Sequence, residues 1–121
     1  QSGAGGSIVL LASMQAVVPF ASSLNYAVPK AALVHAARIL AKQWSHVRVN
    51  VIAPGATFVG MAEASVSAGK YDAYLASGAI SRIGKPEDVA RAIRFFLEPD
   101  NYVTGQVLVV DGGLTLRRDR G

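Results

Sequence analysis

Ser13, Tyr26 and Lys30 are the residues whose types and spacing fit catalysis. The run over residues 7–12 is apolar and β-branched at its start. It is too short for a helix and reads as a buried parallel strand. Ser13 then stands at the carboxyl end of a strand, where open α/β sheets place their ligands. Residues 25–44 carry helical periodicity, so Tyr26 and Lys30, at i and i+4, share one helix face. A free tyrosine loses its proton only near pH ~10, too high for an effective base at neutral pH. A lysine ammonium one turn away favours the phenolate. A serine hydroxyl within reach can donate a hydrogen bond to a developing oxyanion. An acid/base tyrosine with an oxyanion-binding serine suits interconversion of alcohol and carbonyl. No side chain supplies a hydride, so that chemistry calls for a nicotinamide cofactor.

Tyr26-Ala27-Val28-Pro29-Lys30, with Ser13 ending a strand upstream, resembles the Y-x-x-x-K and serine of the short-chain dehydrogenase/reductase family. Asn50-Val51-Ile52-Ala53-Pro54-Gly55 resembles the family's N-x-I/V-x-P-G segment, and residues 82–89 its R-x-G-x-P-E-D-V run. Tyr102-Val103-Thr104-Gly105-Gln106, followed by Val110-Asp111-Gly112-Gly113, resembles its tail. The resemblance covers nearly the whole chain, as the second half of the family's usual length. It implies an NAD- or NADP-dependent oxidoreductase, with a leaning towards 3-oxoacyl and related substrates. Tyr26 would be the acid/base. Lys30 would assist it and hold the nicotinamide ribose, and Ser13 would bind the substrate oxygen. Pro54, Gly55, Thr57 and Val59 would border the nicotinamide. Met14, Gln15 and Phe20 would border the substrate, or Met14 and Phe20 would anchor a loop. The family has a threonine where this chain has Val59. Either Thr57 substitutes for it, a backbone contact suffices, or cofactor binding is impaired.

The elements that must position these residues follow in order. After the first strand, residues 13–24 form a loop. In the helix over 25–44, Leu33, Ala37, Leu40 and Trp44 share a face, and the alanines permit close helix contact. Pro29 is tolerated near a helix start, which places Tyr26 in the first turn. A second strand over 47–53 stops at Pro54-Gly55. Residues 60–80 read as one or two short helices, a mobile lid by the resemblance or a loose connector by composition. Pro86, Glu87 and Asp88 open a helix over 86–97, the acids serving as solvated caps rather than a catalytic pair. A third strand over 107–110 ends at Asp111, which buttresses a turn. His35 and His46 read as an ordinary helix residue and a connector.

At 121 residues the chain forms a single domain at most. Its residues are 51% hydrophobic and 17% charged, with a mean hydropathy of +0.33, a core-rich α/β composition. There is no cysteine, so neither a disulfide framework nor a thiolate metal site is expected, and no metal is assigned. No apolar run approaches the ~20 residues of a membrane span. No leader is visible, the start lacks Met, and a cytoplasmic protein is the expectation. Net charge is +4, and Arg117, Arg118 and Arg120 contribute three of the positive charges. The other basic residues are scattered without interleaved aromatics, so no nucleic acid partner is expected.

The expected fold is α/β: the second half of a Rossmann-like, doubly wound parallel sheet. It has about three strands, two long helices and short lid helices. No G-x-x-x-G-x-G follows a strand, so residues 1–121 form one domain lacking the Gly-rich half that seats a cofactor pyrophosphate. A lone three-stranded sheet is marginal and leaves an open edge. The expected partners are a small alcohol or carbonyl substrate, and either further copies of the chain or the missing half. The alternative is a truncated, inactive oligomerisation module.

Overall fold

The computed structural model describes residues 5–20, 24–58 and 62–120. Val59 lies outside them. Three parallel strands, β1 (Gly6–Leu11), β2 (Val47–Pro54) and β3 (Val107–Val110), lie in the order β1-β2-β3. The register runs from Gly6 opposite Val47 to Leu11 opposite Ile52, and from Val51 opposite Val107 to Pro54 opposite Val110. The described residues also form helices α1 (Leu24–Gln43), α2 (Ala62–Ser67), α3 (Asp72–Ala76), α4 (Pro86–Leu97) and α5 (Leu114–Arg117). This is the α/β architecture expected, plus a terminal helix that lacked a sequence signal.

Successive strand residues face opposite sides of a sheet, and β2 fills both with apolar side chains. Val49 and Val51 pack with Val34 and Ala37 of α1. Ile52 packs with Val89, Ala92 and Phe96 of α4. The two long helices therefore cover opposite faces. Asn50 is fully buried in the same strand. Its amide donates to the Val103 carbonyl at 2.9 Å and accepts from the Gln106 amide at 3.1 Å. Burying it without partners would cost a few kcal/mol (about 1–3), so the side chain fastens the chain entering β3 to the centre of the sheet.

The apolar stripe of α1 keeps Ala37 and Leu40 of the expected face, adds Val34 and Ala41, and leaves out Trp44. Val34 and Ala37 are buried, Leu40 and Ala41 are half-buried, and Trp44 is exposed because the helix ends at Gln43. The small Ala37 at the contact lets the helix axis approach the sheet. Tyr26 falls in the first turn as expected, whereas Pro29 lies inside the helix rather than at its start. Its ring nitrogen cannot donate to the Asn25 carbonyl, but both residues are exposed, so water can satisfy that oxygen.

Helix α4 starts and ends with specific partners. The Lys85 amide donates to Asp88 Oδ2 at 2.7 Å, and Arg82 bonds both oxygens of that carboxylate. At the far end, Arg48 donates to the carbonyls of Phe96, Glu98 and Pro99, and Ser7 also donates to Phe96. A cation there complements the negative helix end. The Arg82 guanidinium, then the Lys85 amide, hold the Asp88 carboxyl at about 2, below its ordinary 3.8. Folding therefore favours the carboxylate. The contribution is complete above about pH 4 and is lost as pH falls towards about 2. Asp88→Asn should flatten the acid limb of the stability curve between these values. Superimposable acid-unfolding curves for the two chains would contradict this.

Candidate active site

Ser13 follows β1 and is buried. Its extended backbone caps the single 3-10 turn Met14–Ala16, and its Oγ accepts the Gln15 amide at 3.1 Å. The Ala12 amide continues the pairing to β2 with a bond to the Ile52 carbonyl at 2.8 Å. Ser13 is thus fixed by the end of the sheet. Helix α1 packs against the same turn, and its first residues carry Tyr26 and Lys30, both half-buried. Lys30 Nζ lies 5.7 Å from the centroid of the Tyr26 ring. No carboxylate pairs with Lys30 among the described residues. The i, i+4 geometry accordingly brings ammonium and phenol together as the spacing predicts.

Met14 is buried in an apolar cluster with Ala56, Tyr71, Ala79, Ile80 and Leu114, and Phe20 packs against that cluster. Gln15 is half-exposed beside it. Pro54 closes β2 opposite Val110, and the Gly55 amide donates to the Val110 carbonyl at 2.9 Å. A Cβ on Gly55 would stand 2.6 Å from Asp111 Cβ and 3.3 Å from Met14 Sδ. Its missing side chain therefore serves contact within the protein, between the end of β3 and the turn after Ser13. Asp111 accepts the amides of Gly113 and Thr115 at 2.9 and 2.8 Å. Burial works against its charge, but the Thr115 amide and hydroxyl and the Gly113 amide outweigh it, leaving the carboxyl below its usual range.

Thr57 is buried at the segment after β2. Its backbone pairs with Gly84, its methyl lies against Gly84, and its buried Oγ1 has no hydrogen-bond partner among the described residues. It lines a cavity of about 260 Å³ with Ser81, Arg82, Asp88, Arg91 and Asp111. Neither Ser13, Tyr26 nor Lys30 lines that cavity.

Two features of the site had no sequence signal. Tyr71, in the segment read as a lid, is buried in the Met14 cluster with its ring 6.3 Å from that of Tyr74. Burial first, then the charges of nearby Tyr26 and Tyr74, push its phenol above 10.0. The C-terminal arginines return to the same cluster: Arg117 Nε donates to the Ala79 carbonyl at 2.9 Å, and Arg118 Cζ lies 5.3 Å from the Phe20 ring centroid. Both depend on contacts between residues distant in sequence, which no local pattern encodes.

The family model described as enoyl-(acyl carrier protein) reductase matches residues 1–115. The chain belongs to the short-chain dehydrogenase/reductase family. It is 41% identical over 114 residues to a 3-oxoacyl-[acyl-carrier-protein] reductase of Chlamydia pneumoniae, covering 91% of this chain and 45% of that protein. It is 33% identical to a 7alpha-hydroxysteroid dehydrogenase of Bacteroides fragilis, covering 93% and 44%. A short-chain type dehydrogenase/reductase structure from Mycobacterium ulcerans superposes with a TM-score of 0.82 at 36% identity, covering 94% and 43%. A structure of ElxO with NADP bound gives 0.77 at 27% identity, covering 92% and 46%. The chain spans less than half the length of these curated relatives, and the sheet reproduces that part of the family's Rossmann-like fold.

The Tyr71 environment allows a direct test. Removing the Tyr26 phenol removes one of the charges opposing ionisation of Tyr71. In Tyr26→Phe the Tyr71 midpoint should therefore move down towards 10.0, read by NMR titration of ring-labelled tyrosine. An unchanged midpoint would show that the two phenols do not sense one another.

Proposed function

We propose that this chain carries the reacting half of an NAD(P)-dependent oxidoreductase that interconverts an alcohol and a carbonyl. The observation that carries the proposal is the Lys30 ammonium held against the Tyr26 ring, on the helix that packs beside the turn capped by Ser13. Tyr26 would exchange a proton with the substrate oxygen, and the Ser13 hydroxyl would donate a hydrogen bond to that oxygen as its charge develops. Lys30 supplies an ammonium donor without a competing carboxylate, which suits both the phenol and a ribose hydroxyl. The donor set thus fits the nicotinamide end of a dinucleotide, with Pro54 and Gly55 at the strand end beside it. A bound nicotinamide supplies the hydride. The sequence contains no G-x-x-x-G-x-G run of the kind that seats a pyrophosphate. A leaning towards 3-oxoacyl substrates rests on the Chlamydia pneumoniae relative.

The apolar exposure of the sheet favours a second body in the working protein. Ile8 and Leu11 on β1 are 37% and 41% exposed, although strands of parallel sheets are normally covered on both faces. We infer that a dinucleotide-binding half or further copies of this chain cover β1. Sedimentation of the 121-residue chain should show self-association, or association with an added dinucleotide-binding half. A well-behaved monomer that ignores such a half would refute this. The rival reading, an inactive oligomerisation module, shares that surface but differs in chemistry. Calorimetric titration with NADH and NADPH separates them. On the enzymatic reading the cofactor binds saturably in the assembled protein, and Tyr26→Phe lowers turnover about 100-fold or more with binding retained. Turnover unaffected by Tyr26→Phe would remove Tyr26 as the acid/base.

A further inference from the structure

The C-terminal residues leave β3 and fold back over the apolar cluster that contains Met14. Leu114 is fully buried in the cluster that also contains Met14 and Tyr71. Arg117 bonds the carbonyls of Ala79 and Gly112, tying the end of the lid segment to the turn after β3. Arg118 is thereby set over Phe20, with Cζ 5.3 Å from the ring centroid. Phe20 rests on the apolar cluster that contains Met14, the neighbour of Ser13. Between α2 and α3, Lys70 Nζ lies 5.7 Å from the centroid of Tyr71, a member of that cluster. Two cations therefore stand over two aromatic rings that share one apolar base.

These cations are not neutralised by carboxylates among the described residues. The ion pairs there join Arg82 to Asp88, and Arg91 and Arg94 to Glu87. Asp111 is occupied by the amides of Gly113 and Thr115. Asp72 and Asp119 are exposed and form no ion pair. A guanidinium stacked on a ring uses its face and keeps its N–H edge available to a planar or tetrahedral anion. Beside apolar groups that attraction is screened less than in open water.

We propose that Arg118, seated on Phe20, binds an anionic group, carboxylate or phosphate, on the substrate whose carbonyl or alcohol meets Ser13 and Tyr26. The proposal rests on Ser13 as the donor to the substrate oxygen and Tyr26 as the acid/base. It makes Arg118 a specificity determinant rather than a catalytic residue.

The test compares charged and neutral ketones in matched pairs: acetoacetate with methyl acetoacetate, and dihydroxyacetone phosphate with dihydroxyacetone. Binding to the full chain is measured by calorimetry at low salt, for the native protein and for Arg118→Gln and Arg118→Lys. The charged member of at least one pair should bind about tenfold more tightly. Arg118→Gln should bring that ratio close to one with the circular dichroism spectrum unchanged, and Arg118→Lys should retain part of it. The pair with the larger ratio separates carboxylate from phosphate. Equal binding within both pairs, no binding of any of the four, or a preference that survives Arg118→Gln would overturn the proposal. Oxidation of NADPH with the same ketones keeps the two readings apart. Turnover that depends on Tyr26 without charge preference removes only the role of Arg118. An Arg118-dependent preference without Tyr26-dependent turnover removes the dehydrogenase reading and with it the placement of the substrate at Ser13 and Tyr26, leaving Arg118 as an anion site alone.

Discussion

Strand β2 is dry on both faces, and the rest of the structure depends on that burial. Val49, Asn50, Val51, Ile52 and Ala53 are all excluded from solvent. An apolar strand in that position requires one helix on each side, which α1 and α4 provide. It also calls for a partner for the fully buried Asn50 side chain, because an unpaired polar group in so dry a place carries its full desolvation cost. Asn50 satisfies its own amide on the backbone that leads into β3, so the same residue that threatens the core fixes the third strand.

The constraint extends to the carboxyl end of the sheet. Gly55 lies where the backbone of Asp111 and the sulfur of Met14 leave no room for a side chain. The end of β2, the end of β3 and the turn after Ser13 are thus one packed unit. Any side chain at position 55 would displace Asp111 at the end of β3 and press on the Met14 side chain. Tyr26 and Lys30 stand near the start of α1, the helix that packs against both β2 and the turn after Ser13. Tyr26 and Lys30 are held by a regular helix rather than by a long loop, which suits the role proposed for them.

Several of the motifs that identify the family have structural work in this chain. Gly84 makes room for the Thr57 methyl, and the Thr57–Gly84 pairing joins the segment after β2 to the approach to α4. Asp88 caps α4 and receives Arg82. Asp111 gathers the amides of the turn that starts α5. Recognition of the family rests on these residues as much as on Ser13, Tyr26 and Lys30, and their presence speaks for the fold before it speaks for catalysis.

The sequence by itself determined the three strands, the two long helices and the shared helix face of Tyr26 and Lys30, but not the terminal helix α5. Apolar runs of strand length, a Pro-Glu-Asp helix start and an i, i+4 spacing are local features, legible along the chain because here the tertiary context agrees with them. Strand β3 and helix α4 occur over the residues the pattern indicates. The stripe of α1 that meets the sheet was decided by tertiary contact: Val34 and Ala37 are buried and Trp44 is left out, because the helix is as apolar beyond that stripe as within it. Only the folded chain revealed that Gly55 yields space to Asp111 and Met14, that Thr57 lines a cavity that Tyr26 does not line, and that Tyr71 and Arg118 converge on the cluster beside Ser13. Each of these relations joins residues far apart in sequence. Long-range packing selects them through volume and shape, which no periodicity along the chain records.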